Sequence, residues 1–143
     1  MNKQTIIKNI FNPGIYTKNI NLILLLLRIS VGVFMLSHGL GKFSKLFGDD
    51  PIKFADPLGV GATASLALTV FSEVICSVFL ILGFATRFAA IPLVITMLVA
   101  AFFAHANDGF VKQELPLLYC VIYLAIAITG AGKISIDNLI YKK

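Results

Sequence analysis

Residues 21–43 read NLILLLLRISVGVFMLSHGLGKF, a run that is apolar almost throughout but contains an arginine, a histidine and a lysine. A helix needs about 20 mainly apolar residues to cross the hydrocarbon layer of a bilayer, and this stretch is long enough. A charged side chain at membrane depth is costly unless it is paired or wetted, so Arg28 is expected to face the interior of a bundle. The stretch therefore predicts a membrane span with polar groups directed inward.

The rest of the chain has the composition of a membrane protein. Of its 143 residues, 58% are hydrophobic and 13% are charged, whereas about 25% of residues are charged in an average soluble domain. Polar or Gly/Pro breaks separate four apolar segments, residues 19–40, 62–84, 88–105 and 114–130. The sequence predicts an all-α fold, an antiparallel four-helix transmembrane bundle that forms one domain over residues 19–132.

The flanking segments predict the orientation of the bundle. Residues 1–18 form a predicted interfacial segment, and residues 133–143 form a short tail along the same interface, with Ser135 or Asp137 as a helix N-cap. An even number of spans places both termini on one side, which carries seven Lys and Arg residues against four on the other side. Cytoplasmic flanks collect positive charge, so both termini are predicted to be cytoplasmic. The basic residues flank spans and form no basic patch, so no nucleic-acid partner is predicted.

Two charged residues fall at similar depths in the first two spans. Counting 1.5 Å per residue, Arg28 lies about 13 Å and Glu73 about 16 Å from the terminal end of the bundle. Consecutive spans are commonly neighbours, so we predict an ion pair between Arg28 and Glu73. Two roles remain open for it: a structural pair that sets helix register, or an intramembrane proton relay.

Polar residues also gather near the opposite ends of the first and third spans. His38 lies about 28 Å along the first span and His105 about 26 Å along the third, and these two helices run in the same direction. Lys42 is one turn beyond His38, and Asp108 and Glu114 precede or open the fourth span. The sequence predicts a pocket at the outer rim, with His38, Lys42 and His105 as its polar contacts.

Several ligands are compatible with such a pocket. Two histidines could ligate a haem, although a histidine near an interface is more commonly a polar anchor. The sequence lacks HxxxH, HxxE and Cys/His clusters, so no metal site is predicted, and the isolated Cys76 and Cys120 are interpreted as structural residues. A quinone fits better, because its carbonyls need one or two donors and its tail needs an apolar groove. A purely structural rim remains the alternative.

The order of these motifs resembles the DoxX family of small four-helix membrane proteins. The resemblance runs from about residue 20 to Asp137, through FADPLGVG, SEVICSVFLILGFATRFAAIPLVITMLVAAFFAHAND and LPLLYCVIYLAIAITGAGKISID. The matching positions are Arg28, Gly32, His38, Gly39, Lys42, Glu73, Gly83, Thr86, Arg87, His105, Gly130, Gly132, Ser135 and Asp137.

The resemblance implies a bacterial-type inner-membrane protein linked to respiratory or sulfur redox chemistry. Members include a subunit of a thiosulfate:quinone oxidoreductase and partners in membrane-bound oxidative-stress complexes. We therefore expect a redox-associated subunit that binds a quinone or similar lipophilic molecule and works with a redox partner protein. Whether it has enzymatic activity is left open; if it is active, it is part of a quinone-linked oxidoreductase complex and not a complete enzyme alone. The alternative is a non-catalytic scaffold that assembles partners or forms a homo-oligomer through small residues on its helices.

Overall fold

The computed structural model describes residue 5 and residues 11–142, so most of the predicted interfacial segment at residues 1–18 lies outside the described residues. Every regular element in the described part is helical. Four helices are long and apolar enough to cross a membrane: α1 (Lys18–Leu46), α2 (Ala62–Leu82), α3 (Thr86–Ala104) and α4 (Phe110–Thr129). A short helix, α5 (Ile136–Tyr141), follows. The predicted all-α fold with four spans is confirmed.

The helices form an antiparallel bundle in which each helix packs against the next along the chain, and α1 also touches α4. All four helices supply the main core, whose members include Met35, Leu80, Leu93 and Tyr123. Large apolar side chains such as Phe34 cover the outside, as is expected of a surface that faces lipid tails.

The two ends of the bundle are clearly distinguished. The Tyr16 hydroxyl donates to the Thr129 carbonyl at 2.8 Å, and the Gly132 amide donates to the Pro13 carbonyl at 2.9 Å. The segments before α1 and after α4 therefore meet at one end, which we call the terminal side. The loop at residues 47–61 and the turn at residues 105–109 lie at the opposite end, the loop side.

Two spans contain a wider, π-helical turn. In α2 it covers Phe71–Cys76 and in α3 it covers Ala100–Ala104. In the second case the His105 amide donates to the Ala100 carbonyl, five residues back, at 3.0 Å. Such turns are rare and are frequently found at functional sites, because they redirect the side chains that follow. Both therefore mark the parts of α2 and α3 that are of functional interest.

The first span is longer than the sequence predicted. It continues to Leu46 instead of ending at residue 40, because Gly39 and Gly41 do not break the helix. A Cβ at Gly39 would lie 3.0 Å from the Cβ of Glu73, so this glycine permits close approach of α1 to α2. Lys42 is consequently a helical residue beside α2.

The C-terminal segment, which is a predicted tail along the interface, has defined contacts with the bundle. Ser135 is the N-cap of α5, since its hydroxyl accepts from the Asn138 amide at 3.2 Å. The segment itself docks into the bundle: the Asp137 amide donates to the Gly83 carbonyl at 2.9 Å, and Asp137 is only 2% exposed. Gly83, with φ of +68°, makes the turn between α2 and α3 that accepts this hydrogen bond.

Candidate functional site

A cavity of about 600 Å³ lies between α2 and α3 on the loop side. The loop before α2 covers it through Phe54, Pro57 and Leu58, and α1 contributes Lys42. Both π-helical turns border it. The remaining lining is mostly apolar, and its helical members include Leu68, Thr69, Phe71, Ser72, Glu73, Pro92, Ile95, Thr96, Val99, Ala100 and Ala104, with His105 beyond them.

The strongest polar contact of the cavity joins Lys42 to Glu73. The Lys42 Nζ lies 2.6 Å from both carboxylate oxygens of Glu73. The side chain of Glu73 is 4% exposed, whereas that of Lys42 is 31% exposed. A buried carboxylate is thus neutralised by a single ammonium group that is itself reachable from outside. This arrangement can bind a polar head group beside a charged pair.

The predicted ion pair between Arg28 and Glu73 is therefore wrong. The guanidinium of Arg28 points instead toward the terminal side, where its Nη1 donates to the Leu80 carbonyl at 3.0 Å and its Nη2 to the Ile134 carbonyl at 2.7 Å. Arg28 is fully buried, at 0% exposure. It joins α1 to the end of α2 and to the C-terminal segment, so its contacts are structural.

Asp137 completes the same polar cluster on the terminal side. Its carboxylate accepts from the backbone amides of Ala85 at 2.6 Å and Thr86 at 3.0 Å. These amides open α3, where a negative charge is favoured by the helix dipole. We call Arg28, Gly83, Thr86 and Asp137 the terminal cluster. An added Cβ on Gly83 would overlap the guanidinium of Arg28, which explains the need for glycine at this turn.

A hydrogen bond between Ser72 and Thr96 crosses the cavity wall. The two hydroxyl oxygens are 2.7 Å apart, and the Ser72 hydroxyl also donates toward the Thr69 carbonyl at 3.1 Å. This contact joins α2 to α3 one residue before Glu73. It fixes the spacing of the two helices at the depth of the Lys42–Glu73 pair.

Asp56 holds the loop that covers the cavity. Its carboxylate accepts from the amides of Val60 at 3.0 Å and Gly61 at 2.8 Å, and from the Ser65 hydroxyl at 2.7 Å. These bonds, that of Ser65 foremost, lower the pKa of Asp56 below its usual range. An ionised Asp56 thereby ties Pro57 to the start of α2.

His105 lies at the mouth of the cavity, next to an acidic residue. Its Nδ1 is 2.8 Å from an oxygen of Asp108, and the Lys112 Nζ lies 3.5 Å from the same oxygen. The hydrogen bond from His105, followed by the charge of Lys112, lowers the pKa of Asp108. The site therefore has an oriented imidazole at its entrance.

Of the three predicted polar contacts, Lys42 and His105 line the cavity and His38 does not. His38 is exposed on another face of the bundle, where its ring stands edge-on to Tyr119 with centroids 6.4 Å apart. It lies one helical turn before Lys42, yet α1 presents the two residues to different neighbours. Among the described residues, no three potential metal ligands cluster together.

Sequence reasoning missed several residues that shape the site. Nothing in the spacing singled out Thr96, the partner of Ser72, since hydroxyl residues are common in spans. Asp56 carried a usable signal, because an aspartate before Pro57 and two glycines is typical of a turn that caps a helix.

Comparison with known proteins agrees with this architecture. The DoxX family model matches residues 23–106, which is more than half of the chain. The chain belongs to the DoxX family. A Haemophilus influenzae relative named "Uncharacterized protein" is 34% identical over 128 residues, covering 82% of this DoxX chain and 90% of its own.

Of two more distant relatives, one is named as an oxidoreductase and the other as a membrane protein. The Bacillus subtilis protein named "Putative oxidoreductase CatD" is 26% identical, with 82% of this chain and 87% of its own covered. An uncharacterized membrane protein of Mycobacterium tuberculosis is 28% identical, with coverage of 82% and 80%. No solved structure matches the chain. This DoxX protein is an integral membrane protein by its family and its four apolar helices.

Proposed function

We propose that this DoxX protein binds a quinone or a similar lipophilic molecule in the loop-side cavity, as the membrane subunit of a redox system. One observation carries the proposal: an apolar cavity of about 600 Å³ adjoins a buried carboxylate, an ammonium group and an oriented imidazole. Small-molecule sites typically measure about 300–1,000 Å³ and combine an apolar lining with a few placed polar groups.

The cavity suits a molecule that arrives through the bilayer. Leu68, Phe71 and Ile95 line it and are also exposed on the outer surface of the bundle. In a membrane that surface faces lipid tails, so an apolar tail lies against these side chains without crossing water. The head group then reaches inward, toward Lys42 and His105.

The polar groups match the chemistry of such a head group. The ammonium of Lys42 has three donors, and its contacts with the two oxygens of Glu73 leave one for a ligand carbonyl. His105 and Glu73 are able to exchange protons, which reduction or oxidation of a quinone requires. These side chains do not exchange electrons, so a redox partner protein supplies or removes them. The oxidoreductase name of the Bacillus subtilis relative supports the same reading.

We place the protein in a bacterial-type inner membrane with both termini in the cytoplasm, following the distribution of Lys and Arg. The cavity then opens in the outer leaflet. A redox partner would have to reach the loop side, where residues 47–61 and 105–109 form the surface.

Binding of a short-tailed quinone and its quinol to protein in nanodiscs, under anaerobic conditions, tests the proposal. We expect saturable binding that is lost in Ala104→Phe, which fills the cavity. Ala106→Phe is the matched control, because Ala106 is exposed and does not line the cavity. We also expect His105→Ala to weaken binding about tenfold, since one hydrogen bond is lost, and His38→Ala to have no effect.

Two results would contradict the proposal. Binding no greater than that of empty nanodiscs would leave the cavity without this ligand and favour a non-catalytic scaffold. Binding that survives Ala104→Phe but is lost in His38→Ala would move the ligand to another face of the bundle.

A further inference from the structure

His105 is held in place more firmly than a surface histidine requires. Its carbonyl accepts from the Asp108 amide at 3.2 Å and from the Gln113 side-chain amide at 3.0 Å. Its own amide bonds to Ala100, at the π-helical turn. The backbone is thus fixed by α3, by the turn and by α4. An imidazole with a fixed backbone and a fixed ring is a pre-organised group.

The contact with Asp108 determines which ring nitrogen carries hydrogen. An ionised carboxylate only accepts hydrogen bonds, so the Nδ1 of His105, 2.8 Å from it, must be the donor. In a neutral imidazole the other nitrogen, Nε2, is then unprotonated and accepts. Asp108 stays ionised near neutral pH because its pKa is lowered by this hydrogen bond and by Lys112.

Lys42 offers the opposite chemistry at the same cavity. Its ammonium group only donates, and Glu73 occupies two of its three donors, so one is left for a ligand acceptor. A ligand that engages both Lys42 and His105 therefore needs an acceptor at one end and a hydroxyl donor at the other. A quinone has carbonyl acceptors only, whereas a hydroquinone hydroxyl both donates and accepts.

We propose that Asp108 is a positioning residue that presents Nε2 of His105 as an acceptor, and that the cavity consequently prefers the hydroxyl-bearing, reduced form of its ligand. The proposal rests on the function proposed above. The ligand hydroxyl donates to Nε2. If the proton transfers, the ligand O–H bond breaks, an Nε2–H bond forms, and the imidazolium is stabilised by the carboxylate of Asp108. This step moves a proton only and consumes no oxidant.

The tautomer of His105 can be measured without any ligand. The chain has two histidines, so ¹⁵N-histidine labelling gives two ring systems, which the His38→Ala variant assigns. At mildly alkaline pH we expect His105 to carry hydrogen on Nδ1 and not on Nε2. Asp108→Ala should lose this pattern, while Lys112→Met, which keeps Asp108, should retain it.

A second experiment compares the affinities of a short-tailed quinol and the matching quinone in nanodiscs. We expect the wild type to favour the quinol, and Asp108→Ala to reduce that preference about tenfold, the value of roughly one hydrogen bond. Asp49→Ala removes an exposed aspartate of the loop at residues 47–61 and should leave the preference unchanged. The ratio isolates a positioning role, because a mere loss of stability would weaken both ligands alike.

The outcomes separate the two proposals. A wild-type His105 with hydrogen on Nε2, or on both nitrogens, overturns the role of Asp108 whatever binds. Binding of both ligands with a ratio unaffected by Asp108→Ala also overturns it but leaves the proposed function intact. If neither ligand binds, the preference for a reduced ligand and the proposed function both fail.

Discussion

The terminal cluster and the loop-side cavity each bury a charge inside a membrane bundle, but they neutralise it differently. The guanidinium of Arg28 donates through Nη1 and Nη2 to two backbone carbonyls, from Leu80 and Ile134, and its buried Nε has no partner among the described residues. Glu73 is satisfied by one side chain, Lys42, which is 31% exposed and adjoins an open cavity. The first charge is fixed by backbone on several elements, whereas the partner of the second can be reached by another molecule.

This difference separates a structural site from a candidate ligand site more clearly than burial does. Both charged residues are almost fully buried, and both match positions of the DoxX resemblance. What differs is whether the groups bonded to Arg28 or Glu73 can be displaced by a ligand. Backbone carbonyls at a helix end cannot leave without unfolding, while a lysine ammonium has rotatable bonds and a third donor.

The largest effect is expected from Arg28→Met. This change leaves the carbonyls of Leu80 and Ile134 without their donor and leaves Asp137 without a nearby cation. We expect the free energy of unfolding in mixed detergent to fall by about 3 kcal/mol. Lys18→Met, an exposed cation at the same end, is the control and should change stability by less than about 0.5 kcal/mol. A similarly small loss for Arg28→Met would mean that the terminal cluster is not structural.

A double-mutant cycle on Lys42 and Glu73 should give the next largest effect. Each of Lys42→Met and Glu73→Gln removes one member of the pair, and we expect losses of about 2 kcal/mol each. The double variant should recover about 1–2 kcal/mol relative to additivity. Arg28→Met combined with Glu73→Gln should instead be additive to within about 0.5 kcal/mol. Coupling in the second cycle and none in the first would restore the pair predicted from sequence.

Removing the carboxylate of Asp56 should loosen the cover of the cavity without unfolding the bundle. In Asp56→Ala we expect amide hydrogen exchange at Val60 and Gly61 to become about five-fold faster, because both amides lose their acceptor. Exchange in the core of α4 should be unchanged. Asp50→Ala, in the same loop, is the control, and faster exchange throughout the bundle would contradict a local role.

The pH dependence of the same contact has a defined sign. The pKa of Asp56 is lowered in the folded protein. The ionised carboxylate therefore makes its full contribution to the stability of the loop when the pH is above the usual pKa range of a carboxyl group. That contribution is lost as the pH falls through the lowered value. Protection of Val60 and Gly61, relative to their intrinsic exchange, should therefore persist in mildly acidic solution and fall only in strong acid.

The smallest effect is expected from Tyr123→Phe. The Tyr123 hydroxyl is buried and has no hydrogen-bond partner within the described part of the chain. Removing it therefore removes the free-energy cost of burying an unpaired polar group. We expect stability to stay the same or to rise by up to about 1 kcal/mol. Tyr119→Phe, in the neighbouring stacked ring, is the comparison. A clear loss for Tyr123→Phe would reveal a bonded partner, and would make the core a third polar region.

Hydropathy was sufficient to predict the four spans, because a helix that crosses a bilayer needs about 20 mainly apolar residues. It was not sufficient to pair the charges. Equal depth suggested Glu73 for Arg28, but depth ignores the carbonyls that α2 and the C-terminal segment leave free at the terminal side. It also ignores side-chain direction. Helical side chains slant toward the N-terminus of their helix, so Lys42 leans from the loop side back toward Glu73.

His38 and His105 show a second limit. Both are predicted contacts of one pocket at the outer rim, yet only His105 lines the cavity. Rotation about a helix axis decides which neighbour a residue meets, and the π-helical turn at Ala100–Ala104 alters that rotation just before His105. No sequence pattern reliably predicts a π-helical turn, so the direction in which His105 points could be determined only from the structure.

The docking of Asp137 has a consequence for how the protein is made. Asp137 holds the amides of Ala85 and Thr86, and Ile134 supplies one of the two carbonyls of Arg28. Both residues follow all four spans in the chain, so the contacts of Arg28 and of the α3 amides are complete only when the last residues have been synthesised. A chain that stops after α4 would lack both sets of contacts, so the segment at residues 134–137 is needed to complete the packing of the terminal side.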